Sequence, residues 1–314
     1  MAALDNVNAA IAQVIQPYIE DVTFTDIALM AVLESTGRVM QQDPSLDITW
    51  PITKDKLNTG TYRGFFKFPG QEKQVFDKAT VDWKQAYCDF AISAYDALRA
   101  RGPYAAYQLS DGLKNNAKMS IAEFIGKQCY ANGKTNAGLD FDGLEIGADN
   151  GDTYATYATI ARSAIPGWKG YNDLVGKPVS FALHTEAQGN CTFGNSRPDL
   201  AITTQTLWNS LHGRAQAQQI FDAGNTGNQV ANLGFDVLRN IGCSITHDAQ
   251  CPSGRMYGIT TDKMELIVMP DRVWSFTGYQ QVPGADGYQA QFLFMGNFTF
   301  KAPRQLYKLG NLTA

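Results

Sequence analysis

The sequence predicts a protein of mixed α and β structure in the α+β class, and three features lead to this prediction. Apolar residues at helical spacing predict one long helix over about residues 104–130. Apolar and alternating runs at 264–269 and 288–301 predict strands close to the C-terminus. A turn-rich stretch at 46–82 predicts a two-stranded excursion ahead of the long helix.

The first forty residues predict two helical stretches, one before Pro17 and one opened by Thr25-Asp26. Such a leading segment is either a first core helix or an arm that lies on another surface. The sequence favours neither interpretation.

The excursion at 46–82 is bounded by turn signals and carries aromatic and charged side chains. The aromatic residues between its turns are Tyr62, Phe65, Phe66 and Phe68. An isolated hairpin is marginally stable in water, so we expect this one to rest on a surface that its own chain need not supply. The alternative is an ordinary hairpin that packs on its own domain.

After the excursion, residues 83–93 alternate as a strand, with Ala86, Cys88, Phe90 and Ile92 on one face. The long helix follows Gly102-Pro103 and ends at Asn132-Gly133. Its length of roughly 40 Å makes it the natural spine of the fold. Its predicted apolar face consists of Leu109, Leu113, Ala117, Ile121, Phe124, Ile125 and Cys129.

The middle of the chain, residues 136–195, is rich in loops and leads into a second helix through Leu207, Trp208, Leu211 and Ala215. The run 264–269 predicts a strand that is covered on both faces. Residues 288–301 predict a hairpin that turns at Met295-Gly296-Asn297.

The composition points to a surface made for contact. Only 18% of the residues are charged, which is below the ~25% typical of soluble proteins. The 18 Asn and 21 Gln residues together outnumber the 30 acids. Fewer charges leave a surface less protected against association. The formal charge of -4 disfavours specific binding to a phosphate backbone.

Targeting and membrane signals are missing from the sequence. No apolar run approaches the ~18 residues of a membrane span, and the N-terminus does not resemble a secretory signal. The five scattered cysteines include no CxxC pair, which is typical of reduced thiols in a reducing compartment. We therefore expect a protein that is made in a cytoplasm.

Catalytic signatures are weak. None of the three histidines, His184, His212 and His247, lies in a convincing catalytic motif. Gly133-Lys134-Thr135 imitates the end of a P-loop but lacks the earlier glycine and follows a helix, so a surface turn is favoured. A carboxylate pair for glycoside chemistry stays open, since such pairs meet only in space.

Two metal sites are possible by residue type, although no cofactor is expected. The acidic stretch 140–152 lacks the register of a calcium loop, which favours a solvated loop. Cys243, His247 and Cys251 could supply three zinc ligands, with Asp248 or His184 as the fourth. The alternative is a loop thiol, a loop histidine and a core thiol.

The order of these parts resembles the major capsid proteins of tailed bacteriophages, with the capsid fold of the Hong Kong phage type. The resemblance covers nearly the whole chain and is carried by Trp83-Lys84-Gln85, Leu200 to Trp208, Met256-Tyr257-Gly258 and Arg304 to Ala314. No single stretch is diagnostic, because a capsid protein needs no catalytic signature. The order of the elements therefore carries the comparison.

The resemblance implies an N-terminal arm, an extended β-hairpin loop, a peripheral domain with a long spine helix and a β-sheet, and an axial domain. The arm would span 1–45 and the extended loop 46–82. The peripheral domain would begin at 83–138 and return as strands at 255–314. The axial domain would occupy 139–254.

The resemblance also implies a structural, non-enzymatic protein of the virion that is assembled in the host cytoplasm. Copies of the chain would form the hexamers and pentamers of an icosahedral head around the phage genome. Further implied partners are scaffolding, portal and cement proteins, with weak non-specific contact to packaged DNA and no membrane. The residues expected to contact a neighbouring copy are Arg63, Phe65, Phe66, Lys67, Phe68 and Lys73.

Two alternatives come from other classes of protein. One is a cytoplasmic enzyme or metal-binding protein with an unrecognised site, for example around Cys243, His247 and Cys251. The other is a tail or portal component that forms rings through similar contacts between copies.

Overall fold

The computed structural model describes residues 27–43, 45–68, 70, 72–99, 105–215 and 237–314. The helical stretch predicted before Pro17 and the predicted cap at Thr25-Asp26 lie outside these residues. Within the described ranges the helices are α1 (Ala28–Ser35), α2 (Ala94–Arg99), α3 (Ala105–Gln128), α4 (Leu144–Gly147), α5 (Phe181–Cys191) and α6 (Gln205–Ala215). The strands in the same ranges are β1 (Val39–Gln41), β2 (Ile48–Thr53), β3 (Phe76–Val81), β4 (Lys84–Ser93), β5 (Thr156–Tyr157), β6 (Ile160–Ala161), β7 (Tyr171–Asp173), β8 (Leu200–Thr203), β9 (Leu238–Asn240), β10 (Cys243–His247), β11 (Met256–Ile259), β12 (Met264–Val268), β13 (Ser275–Phe276), β14 (Gln280–Gln281), β15 (Gly287–Phe300) and β16 (Tyr307–Leu309).

A long sheet is built around β15, with the order β1-β12-β15-β13 and with β4 and β14 also paired to β15. The predicted hairpin at 288–301 is wrong, because β15 continues through Met295-Gly296-Asn297 as one strand of 14 residues. On one edge it pairs with β4 as far as Gly296, and on the other it pairs with β12 from Gly296 onward. A turn there would break backbone hydrogen bonds on both edges, so the pairing keeps the strand straight.

The long helix packs on one face of this sheet. The predicted spine over 104–130 is confirmed as α3 across its described part, with Ala117, Ile121 and Ile125 buried. The predicted alternation in β4 is also confirmed, because Ala86 is buried and the other members of its face are partly buried. Phe124 departs from the predicted apolar face, since the residue is 43% exposed.

A second sheet has the order β7-β16-β11-β8-β10-β9 and forms a separate core. Its strands β11 and β16 come from the returning segment 255–314, which also supplies β12 and β15 to the long sheet. The boundary drawn at 254/255 therefore does not coincide with the division between the two sheets. β11 pairs with β8 in the register Met256↔Thr203 to Ile259↔Leu200. This pairing joins two segments that are distant in sequence.

The first described helix, α1, is a core helix of its own chain. Its Ala28, Leu29, Val32 and Leu33 are all buried. No side chain of the helix caps its N-terminus, and the backbone N–H of Leu29 instead donates to Asp248 Oδ2 at 3.3 Å. The Tyr130 hydroxyl donates to the same oxygen at 2.9 Å. Asp248 thus links α1, the end of the spine helix and the second sheet.

A buried histidine makes the core of the second sheet sensitive to acid. Burial lowers the pKa of His184 to about 4, from ~6.5 for an exposed histidine. Its Nδ1 lies 2.9 Å from the Asn240 amide nitrogen, and its ring packs edge-on against Tyr307. Between pH 6.5 and 4 the unfolded chain binds a proton at this site that the folded chain does not. Folding is therefore expected to weaken as the pH falls through this window.

We expect the histidine alone to remove about 3 kcal/mol of stability between pH 6.5 and pH 4, from a pKa difference of about 2.5 units. Urea unfolding of the wild type and of His184→Gln at half-unit pH steps measures this effect. The two curves should converge toward acid pH, and parallel curves across the window would contradict the assignment.

Candidate assembly surface

The excursion at 46–82 forms an antiparallel hairpin whose base is anchored on its own chain. Strands β2 and β3 pair in register from Ile48↔Val81 to Thr53↔Phe76. Ile48, Trp50, Ala79 and Val81 are buried in the core beneath the long sheet. The base therefore packs on its own domain, as in the alternative interpretation of an ordinary hairpin.

The tip of the hairpin is different, because every described residue from Thr53 to Gln74 is exposed to solvent. Three aromatic rings of the tip contact one another, with centroid distances of 6.1 Å for Tyr62–Phe66, 5.1 Å for Tyr62–Phe68 and 5.4 Å for Phe66–Phe68. Phe65 precedes Phe66 in the sequence and is fully exposed, at 108% of its reference surface. We call these four residues the tip cluster.

Exposed aromatic rings in such a group are costly to leave in water. Each ring carries 150–250 Å² of surface, and removing about 100 Å² of apolar surface from water stabilises by about 2.5 kcal/mol. Contiguous apolar patches on monomers mark sites of interaction. The geometry of the tip cluster therefore favours burial against another surface.

The charged residues of the tip divide into two groups. Lys73 Nζ lies 2.8 Å from Asp55 Oδ2 and donates to the Lys56 carbonyl at 2.8 Å, which closes the neck of the loop. The hydrogen bond from Lys73 is the main reason why the pKa of Asp55 is lowered. By contrast, Arg63 and Lys67 are exposed and make no ion pair with any described residue.

The structure thus brings five of the six predicted contact residues together at the outer end of the loop, namely Arg63, Phe65, Phe66, Lys67 and Phe68. Lys73 lies at the neck and its charge is satisfied within the chain. Sequence reasoning did not select Asp55 as its partner or Tyr62 as a contact residue. The position of Tyr62 between the same turn signals as the three phenylalanines was the available clue.

Comparison with known proteins finds likeness in structure alone. No protein-family model matches the sequence, and no curated protein is similar to it. The capsid asymmetric unit of cyanophage A-1(L) superimposes with a TM-score of 0.74 at 14% identity, over 95% of this chain and 96% of that one. The chain has the fold of tailed-phage capsid proteins. The capsid of an empty GTA particle also shares it, with a TM-score of 0.61 at 10% identity over 93% and 99% of the two chains.

The capsid fold is not confined to phage particles. The holo-SrpI encapsulin complex from Synechococcus elongatus PCC 7942 matches with a TM-score of 0.58 at 8% identity, over 96% of this chain and 94% of that one. The predicted fold class is confirmed by these matches. The chain's own structure contains the hairpin β2–β3 and the long helix α3. The domain boundaries stay a prediction.

The zinc site considered from the sequence does not form in this capsid fold. Cys243 and His247 lie four positions apart on β10, which places them about 13 Å apart at ~3.3 Å per residue. Zinc ligands must all lie within about 2.3 Å of the ion. Among the residues that the structure describes, no group of three His, Cys, Asp or Glu side chains could hold a metal.

The acidic stretch 140–152 is occupied by internal contacts. Asp142 Oδ2 accepts from the Asn297 amide at 2.8 Å, and Asp149 Oδ2 accepts from the backbone N–H groups of Gly151 and Tyr154 at 2.9 Å each. These carboxylates accept hydrogen bonds within the chain itself.

None of the helices in the described ranges is long and apolar enough to cross a bilayer.

Proposed function

We propose that this protein is the major capsid protein of a tailed bacteriophage, and that its copies assemble into the hexamers and pentamers of the icosahedral head that encloses the genome. The observation that carries the proposal is the exposed tip cluster at the end of an anchored hairpin in a capsid fold. The fold supplies the shell-forming frame, and the tip supplies a surface that is incomplete in a lone subunit.

Assembly then rests on heterologous contacts, in which the loop of each copy lies on the next copy around a ring. Phe65, Phe66 and Phe68 bury against the neighbour, while Arg63 and Lys67 meet its acidic groups. Two rings of the tip cluster, each losing about 100 Å², would contribute about 5 kcal/mol before the cost of association. Single contacts of this size are reversible, and their sum over a closed shell is stable.

The proposed role is structural and non-enzymatic, with the virion as its location and the host cytoplasm as the place of assembly. Scaffolding, portal and cement proteins are its further proposed partners. Contact with packaged DNA is weak and non-specific, since the chain carries a formal charge of -4 and cannot neutralise many phosphates.

The test is electron microscopy of the purified protein together with analytical ultracentrifugation. Closed icosahedral shells are expected. A monomer that disperses at ~100 μM would contradict the proposal, as would open tubes or isolated rings, which indicate a tail or portal component. Because the fold also occurs in an encapsulin complex, the nucleic-acid content of particles made in infected cells must be measured, and particles without a genome would also contradict it.

A further inference from the structure

A groove lies beside strand β2 at the base of the hairpin. Its walls come from β2, from the turn at 165–168 and from the turn at 301–304, and its volume is about 480 Å³. The lining is mostly apolar, with Ile52, Ile165 and Trp168 among the walls. It is therefore a second surface of this chain that could accept part of another molecule.

Two side chains that line the groove carry buried nitrogen atoms without a hydrogen-bond partner among the described residues. Trp50 is 8% exposed, and its indole N–H has no hydrogen-bond partner among the described residues. Arg304 stacks its guanidinium on the ring of Phe193, and no described residue accepts a hydrogen bond from it or pairs with its charge. A buried donor without a partner is costly, so these groups point to a ligand that supplies acceptors.

The other cation of the groove is already neutralised. Lys301 Nζ lies 2.7 Å from Glu265 Oε2, and Glu265 is buried. One guanidinium without an ion pair, lying between apolar walls, suits a single carboxylate. A phosphate backbone would need several free cations, and this groove offers one.

We propose that the groove binds an acidic side chain on the extended loop of a second copy of this chain, with Glu72 as that side chain. This inference rests on the proposed function, because it names the surface on which the loop of a neighbour is received. The loop 46–82 has four acids besides Glu72. Asp47 and Asp82 lie at the base, just outside the β2–β3 pairing. Asp55 is paired with Lys73, and Asp77 lies 3.8 Å from Lys54. Glu72 is exposed and makes no ion pair with any described residue.

The test compares the assembly threshold of Arg304→Met and Glu72→Gln with that of the wild type, by light scattering and electron microscopy. Loss of a charge-assisted contact is expected to raise the threshold concentration of each variant at least ten-fold. Lys169→Met is the matched control, because it removes an exposed positive charge next to Trp168 but outside the groove. Its threshold should be unchanged.

The charge swap Arg304→Glu with Glu72→Arg is expected to restore shells that Arg304→Glu alone cannot form. Glu72 is exposed, so the Glu72→Gln result stands even if substitution of Arg304 disturbs the fold. Normal assembly of Glu72→Gln would overturn the inference, as would an Arg304→Met variant that assembles normally but loses nucleic acid. In either case shells of the wild type would leave the proposed function standing, whereas a wild type without shells would defeat the proposed function itself.

Discussion

Deletion of residues 58–72 is expected to leave a folded, soluble chain that forms no shells. The β2–β3 register ends at Thr53↔Phe76, and all described residues of the deleted segment are exposed, with ring contacts only among themselves. Asp55, Lys56 and Lys73 remain, so the neck of the loop keeps its ion pair. The deletion removes the tip cluster together with Arg63, Lys67 and Glu72, and hence all the loop residues proposed to contact a neighbour.

Two measurements check this result. Thermal unfolding of the deletion variant should lie close to that of the wild type, because changes at exposed positions usually alter stability by less than about 0.5 kcal/mol. Electron microscopy should show dispersed subunits at concentrations where the wild type forms shells. Shells of normal size from the deletion variant would remove the tip from the assembly mechanism.

A single substitution gives a graded version of the same test. Phe65→Ser is expected to raise the assembly threshold roughly 10- to 100-fold, from the loss of about 1.5–3 kcal/mol of apolar burial. Leu46→Ser is the matched control, since Leu46 is 93% exposed but lies outside the tip. An equal effect of both substitutions would indicate a general change in solubility instead of a specific contact.

Lys308→Met is expected to cost about 3–5 kcal/mol of folding stability, because it leaves two acids without their buried cation. Lys308 is fully buried in β16, and its Nζ lies 3.1 Å from Glu145 Oε1 and 3.3 Å from Asp149 Oδ1. Burial acts to raise the pKa of Asp149, but hydrogen bonds from Tyr154, Gly151 and Asn172 and the charge of Lys308 outweigh it and lower that pKa. The carboxylate is thus held in its charged form beside the lysine.

The control for this prediction is Lys177→Met. Lys177 makes a shorter ion pair, 2.6 Å to Asp173 Oδ2, but 42% of its side chain is exposed. Solvent screens such a pair, so its loss should cost much less stability than the loss of the buried Lys308 contacts. Urea unfolding of both variants measures the difference. Similar losses for the two lysines would show that burial does not set the strength of the Lys308 contacts.

Local pattern was sufficient for the elements whose residues repeat regularly. The alternation of Ala86, Cys88, Phe90 and Ile92 predicted β4, and helical spacing predicted α3. It was insufficient at Met295-Gly296-Asn297, where turn-forming residues lie inside a continuous strand. The strand needs a glycine at position 296, because a Cβ on Gly296 would lie only 2.6 Å from the Ile267 carbonyl oxygen. That close approach depends on β12, whose residues are about thirty positions away.

For the candidate site, the sequence alone determined that aromatic and basic residues share one long hairpin, since turn signals and residue types are local properties. Only the tertiary structure decided that its base is buried while its tip is free, that Lys73 is satisfied by Asp55, and that Arg304 is left without an acceptor. The physical reason is that burial and charge pairing depend on which distant segments pack together. Periodicity describes a single segment, whereas the partners of each side chain come from the fold.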